Sequence, residues 1–157
     1  MPNVTIEYVI LIPLLFTQVI LFPLVASTMA SNWQDSQRDI ELQDVANHLA
    51  STIQQLYLTV NRDEILVGTV TQVSTIPVTV ASYSYSVTGS LSDPPDGSAK
   101  ILIFTLILDD VGNTVTASAV LGPNVNWIDS TLRSDSADAY IELQKFSNGT
   151  LTFSFGG

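Results

Sequence analysis

The chain reads as an α+β protein: a long N-terminal helix, apolar and then amphipathic, followed by an all-β antiparallel sandwich head of immunoglobulin-like size. Three observations predict this. From Tyr8 to Ala30 there are 23 residues without a charge. Beyond them, apolar residues recur at steps of three and four, as on one face of a helix. From Ile65 the period drops to two, with turn chemistry between the apolar stretches. Residues 1–64 are therefore assigned to the helix, divided into an apolar segment (1–30) and an amphipathic stalk (31–64), and residues 65–157 to the head.

The apolar segment, YVILIPLLFTQVILFPLVASTMA, is long enough to cross the hydrocarbon layer of a bilayer, which takes about 20 helical residues. Tyr8 and Trp33 bracket it as interfacial aromatics bracket a spanning helix. A secretory signal peptide would open on a basic stretch and carry a shorter apolar run; here Glu7 precedes the run, and a retained segment is expected. Pro13 deprives the carbonyl of Val9 of its helical donor, and Pro23 does the same to Val19. Gln18 sits mid-span, where a lone amide is costly to desolvate and fits better against protein than against lipid.

In the stalk the stripe is Leu42, Val45, Leu49, Ile53 (or Thr52), Leu56 and Val60, widened by Ala46 and Ala50. No Gly or Pro occurs between Val25 and Gly68, so one helix continues out of the apolar segment. Fraying is expected around Ser31–Gln34, and Pro13 and Pro23 mark where a break would fall. Such a rod of about 60 residues would be roughly 90 Å long.

Candidate strands in the head are Leu66–Val73, Val78–Val87, Lys100–Leu108, Thr114–Leu121, Ala139–Phe146 and Thr150–Phe155, with a short addition at Asn126–Ile128. Loops fall at Ser92–Gly97 and Asp110–Asn113, and Asn148-Gly149 signals a type I′ hairpin. Ile101–Leu108 is nearly unbroken in its apolar character, which predicts a central strand apolar on both faces.

Composition removes several function classes. Five Lys and Arg against 15 Asp and Glu give a net charge of −10, which leaves too few cations for nucleic acid or an anionic membrane surface. There is no Cys, hence no disulfide, thiolate metal site or Cys nucleophile, and one His cannot form an imidazole cluster. A Ser-His-Asp set would require His48, on the stalk, to reach a serine of the head, and the residue is expected to be an ordinary solvated helix position. Asp109-Asp110 and Asp93…Asp96 are turn residues first, without EF-hand spacing. No catalytic site, metal or cofactor is expected. Mean hydropathy is +0.33 although 13% of residues are charged, because 17 Ser and 16 Thr, about a fifth of the chain, stand where charges usually do. Two Asn-x-Thr sequons occur, at Asn3 against the apolar helix and at Asn148 on a hairpin tip.

Asn3-Val-Thr-Ile-Glu-Tyr8, followed by the apolar run, resembles the start of type IV pilins. The closer likeness is to archaeal pilins carrying a class III signal peptide, whose mature ends read Gln-x-Ser-x-Glu-Tyr/Phe ahead of an apolar helix. Asn3 stands for the Gln and Thr5 for the Ser, while Glu7 and Tyr8 match. The stretch Glu7–Leu14 is also similar to Tad-type pilin-like proteins. Precursors of this family carry a basic leader, which Met1-Pro2 lacks; cleavage before Asn3 would make Glu7 the fifth residue of the mature chain.

The resemblance implies a structural subunit of an extracellular type IV pilus-like filament, membrane-inserted before assembly. Its partners would be identical subunits and the pilus assembly machinery. Glu7 would pair with the N-terminal amine of a neighbour and set axial register. Tyr8, Pro13, Gln18 and Pro23 would lie in the bundled core. Leu42, Val45, Leu49, Leu56 and Val60 would pack on the subunit's own β domain and on adjacent stalks. Two other readings share these features: a monomeric, membrane-anchored adhesion or binding module, and an archaellin, the subunit of a rotary filament.

Overall fold

The computed structural model describes residues 3–73, 75–95 and 97–156, the side chains of residues 3–8 excepted. Helix α1 runs from Asn3 to Val60. It continues through Pro13 and Pro23 and through Ser31–Gln34, where the sequence predicts fraying. Hydroxyls that could compete with the helix instead bond backward into it. Thr28 Oγ1 donates to the carbonyl of Val25 at 2.8 Å, and Ser31 Oγ to that of Thr28 at 3.0 Å. The chain divides into two compact units, Met1–Gln37 and Arg38–Gly157.

In the second unit the strands are β1 (Gly68–Val73), β2 (Tyr85–Ser92), β3 (Lys100–Leu108), β4 (Thr114–Leu121), β5 (Val125–Trp127), β6 (Thr131–Arg133), β7 (Tyr140–Lys145) and β8 (Leu151–Gly156). They form two four-stranded sheets, in the orders β1-β7-β8-β5 and β4-β3-β2-β6. Alternation sets the inner faces. Leu102, Phe104, Leu106 and Leu108 of β3 and Leu151, Phe153 and Phe155 of β8 all enter one core. Across it, Phe104 meets Trp127 edge-on at 6.4 Å and Phe155 at 6.1 Å.

The stalk half of α1 completes this core. Leu42, Val45, Ala46, Leu49, Ala50, Ile53, Leu56, Tyr57 and Val60 are buried with the sheet residues in a single cluster. Each large aliphatic side chain so covered contributes about 1.5–3 kcal/mol. Polar contacts along the seam fix the helix. Gln43 Nε2 donates to the carbonyl of Thr116 on β4 at 3.1 Å, and Asn113 Nδ2 to Asp39 at 2.8 Å. The Arg38 guanidinium lies 5.2 Å over the Tyr83 ring. At the C-terminal end, where the last turn has no basic residue, Lys145 of β7 donates to the carbonyls of Val60 (3.0 Å) and Arg62 (2.6 Å).

Four details depart from the sequence-based expectations. The stretch Val78–Val87 is not one strand. A two-residue turn at Ala81-Ser82, with φ of 48° and 73°, folds Tyr83 back onto Val80 through two 2.9 Å backbone bonds, and β2 begins only at Tyr85. Nothing in Ala-Ser signals such a turn, because neither residue favours positive φ. At Asn148-Gly149 only the glycine takes positive φ (80°). The Gly149 N–H donates to Phe146 and the Phe146 N–H to Thr150, so the connection is a three-residue loop closed by an αL glycine rather than a type I′ turn. Strand β6 has too short an apolar pattern to be read; it is held by pairing with β2 and by Ser134, whose Oγ accepts the Tyr85 N–H at 2.8 Å. Finally, β5 pairs with β8 in parallel. No hairpin joins these two strands, because the chain crosses to β6 and returns through β7 between them, so their relative direction is unconstrained.

Candidate functional site

The first unit presents an uncommon surface. From Val9 to Trp33 every large apolar side chain is at least half exposed, from Leu11 at 50% to Phe22 at 77%. No side of this stretch is a polar face that would mark a helix lying on a protein surface. The helix is long and apolar enough to cross a membrane, and none of its most apolar stretch is buried within the molecule. In water such a surface demands cover, either lipid or protein.

Pro13, Gln18 and Pro23 are exposed on this surface. Thr17 Oγ1 donates to the carbonyl of Pro13 at 2.8 Å, one turn back. Gln18 lines a shallow notch with Leu15, Val19, Leu21, Phe22, Pro23 and Val25. The carbonyl of Val19, whose helical donor Pro23 lacks, belongs to the residue beside that amide. The helical backbone includes Asn3, Glu7 and Tyr8, but their side chains lie outside the described residues.

The stalk residues have a different place. Leu42 and Leu49 are at most 1% exposed, and Val45, Leu56 and Val60 are also buried, all against the chain's own head. That consumes the stripe, so the expected contact of these residues with adjacent stalks has no surface left to make it. Ile40 and Leu58, on the other side of the helix, are exposed at 53% and 59%. Sequence reasoning passed over them because they fall outside the stripe.

His48 Nε2 lies 3.3 Å from Thr75 Oγ1. Asp109 accepts from Ser84 Oγ at 2.7 Å, and Asp93 pairs with Lys100 at 3.2 Å, so both are tied into their turns; Asp96 lies outside the described residues. Among the described residues no three His, Asp or Glu side chains converge as metal ligands. Asn148 is exposed at its hairpin tip, with its Oδ1 accepting the Thr150 N–H at 3.0 Å. No protein-family model, curated protein or solved structure matches this chain.

Proposed function

We propose that the chain is the structural subunit of an extracellular, type IV pilus-like filament, polymerised by bundling of its N-terminal apolar helices. The observation that carries the reading is the division of labour along one helix. The apolar stripe from Leu42 to Val60 is buried by the head, whereas the large apolar side chains of Val9–Trp33 are exposed on all sides. A head with its own core needs nothing from that segment for its folding. Its apolar surface is therefore available to copies of itself, with the membrane as its place before assembly. Burial of these side chains, at roughly 1.5–3 kcal/mol each, favours a bundle strongly over water. Lipid offers the same gain, so transfer from membrane to filament depends on packing and interhelical hydrogen bonds, with assembly machinery as the expected partner. The resemblance of Asn3–Tyr8 to pilin N-termini supports the reading, and it gives Glu7 the role of pairing with a neighbour's N-terminal amine.

Electron microscopy of the full-length chain after slow removal of detergent tests this. Uniform filaments with helices bundled along the axis are expected, at lower yield for Glu7→Ala with the head still folded. Single chains that stay dispersed in added lipid bilayers and never polymerise would make the segment an anchor for a monomeric binding module. Filaments that assemble only around a rotary motor would assign the chain as an archaellin.

A further inference from the structure

Strand β3 is written for cover on both faces, and the molecule covers one. Apart from Thr105, Ile101–Leu108 is wholly apolar, the pattern of a strand packed on both sides. Its inward residues fill the core. On the outward side Ile101, Ile103 and Ile107 are 38–40% exposed, and Val120, paired with Ile101 across β4, is 52% exposed. No described element lies over them. Around these side chains the outward positions of β2, β3, β4 and β6 are all Ser, Thr, Ile or Val, except Arg133 at one corner, which is engaged by Asp135 at 3.1 Å. One row of the register, Thr131-Thr88-Thr105-Thr116, is threonine across all four strands.

We propose that this outer face of the β4-β3-β2-β6 sheet is a docking surface for a second copy of the chain, adding a head-to-head contact to the filament reading on which it rests. Two features favour a copy as the occupant. The chain carries a net charge of −10, so two copies repel wherever carboxylates face each other; this face has none among its outward strand positions. Its side chains are short or β-branched, and they lose little rotamer freedom when covered, unlike the Lys and Glu of an ordinary solvated sheet face. Four strands about 4.8 Å apart and some seven residues long present roughly 450 Å², against about 800 Å² per partner in a stable complex. Isolated heads therefore stay apart. The contact forms once apolar helices hold copies together at high effective concentration.

The absence of cysteine permits a direct test. Ser118 and Ser90 both flank Ile103 in the register. The full-length chain with Ser118→Cys is labelled with a benzophenone maleimide and irradiated in dilute detergent and after detergent removal, with exposed Gln144→Cys on the other sheet as control. We expect dimer-sized and larger adducts, several-fold above the control, that appear on detergent removal and map by mass spectrometry to peptides of this same chain. Adding Ile103→Glu, or Ser90→Glu should the first fail to fold, lowers the yield several-fold without shifting the melting temperature. Adducts no stronger than the control, adducts to lipid, or adducts that persist in the charged variants overturn the proposal. Microscopy of the same samples separates the two readings. Filaments without Ser118 adducts leave the filament standing and this face unused; Ser118 adducts without filaments do the reverse.

Discussion

Gly89 of β2 lies directly beneath the indole of Trp127, where a Cβ would overlap the ring. The ring cannot retreat, because Phe155 stands 5.0 Å from it and Phe104 6.4 Å. Gly89→Ala should therefore cost about 1–3 kcal/mol as an overpacking substitution, read as a melting temperature lower by several degrees. The Trp127 indole N–H is buried there without an acceptor among the described residues, so packing must offset its desolvation. Tyr85 shows the opposite arrangement: fully buried, its hydroxyl donates to the carbonyl of Pro77 at 2.7 Å. Burial holds its phenol well above the ordinary value near 10. The sign follows from linkage. Below pH 10 the phenol is neutral in both states; above it the unfolded chain ionises first, and stability falls as pH rises. Urea midpoints between pH 7 and 11.5 should decline above pH 10. In Tyr85→Phe that decline should be shallower, with a constant loss of about 1 kcal/mol from the missing hydrogen bond.

At the scale of elements, α1 is one helix with two different surroundings. Its end is set by a cation from elsewhere in the chain. Lys145→Met removes both hydrogen bonds to the final carbonyls, for an expected loss of about 1–3 kcal/mol. Hydrogen exchange should quicken at Tyr57–Asn61, whose last helical bond is Asn61 N–H to Tyr57 at 2.9 Å. At the other end, Gln18 and Pro13 are disadvantages for a helix surrounded by lipid. Gln18→Leu with Pro13→Ala should then be at least as stable in detergent. If bundling uses the Gln18 amide against a neighbour's unpaired carbonyl, at about 0.6–2 kcal/mol per contact, the same variant should form fewer filaments. Melting curves beside filament counts decide, and equal or better filament formation would leave these residues without an assembly role.

For the whole molecule, the boundary at Arg38 has a consequence. Residues 38–157 contain every member of the hydrophobic core. That fragment should be monomeric without detergent and melt cooperatively, whereas the full-length chain should need detergent or polymerise. Removing the stalk as well should not be tolerated. A fragment of residues 61–157 lacks the nine helix residues that complete the core and should expose its inner sheet faces and aggregate. Size-exclusion chromatography and a thermal melt of both fragments test this; a well-folded 61–157 would mean that the stalk merely rests on a self-sufficient sandwich.

Local pattern carried much of this protein. Period 3.6 through Leu42–Val60 and period 2 through β4 and β8 were legible because each element's neighbours impose one repeat on its own residues. The 23-residue uncharged run likewise marked the exposed segment, since its surroundings are not the rest of the chain. What could not be read depended on residues distant in sequence. The Ala81-Ser82 turn, closed by the Val80–Tyr83 bridge, places positive φ on residues that do not prefer it. Strand β6 is too short to carry a period, and the change of sheets between β5 and β8 leaves their relative direction unspecified by the local pattern. The same limit applied to surfaces. An apolar stripe and an unbroken apolar strand each announce that cover is required, but not by what. Only the tertiary structure decided that the stripe on the stalk is covered wholly by its own head, whereas the outer side of β3 and the helix from Val9 to Trp33 are left open. Covering a surface joins two partners, and local sequence describes only one of them.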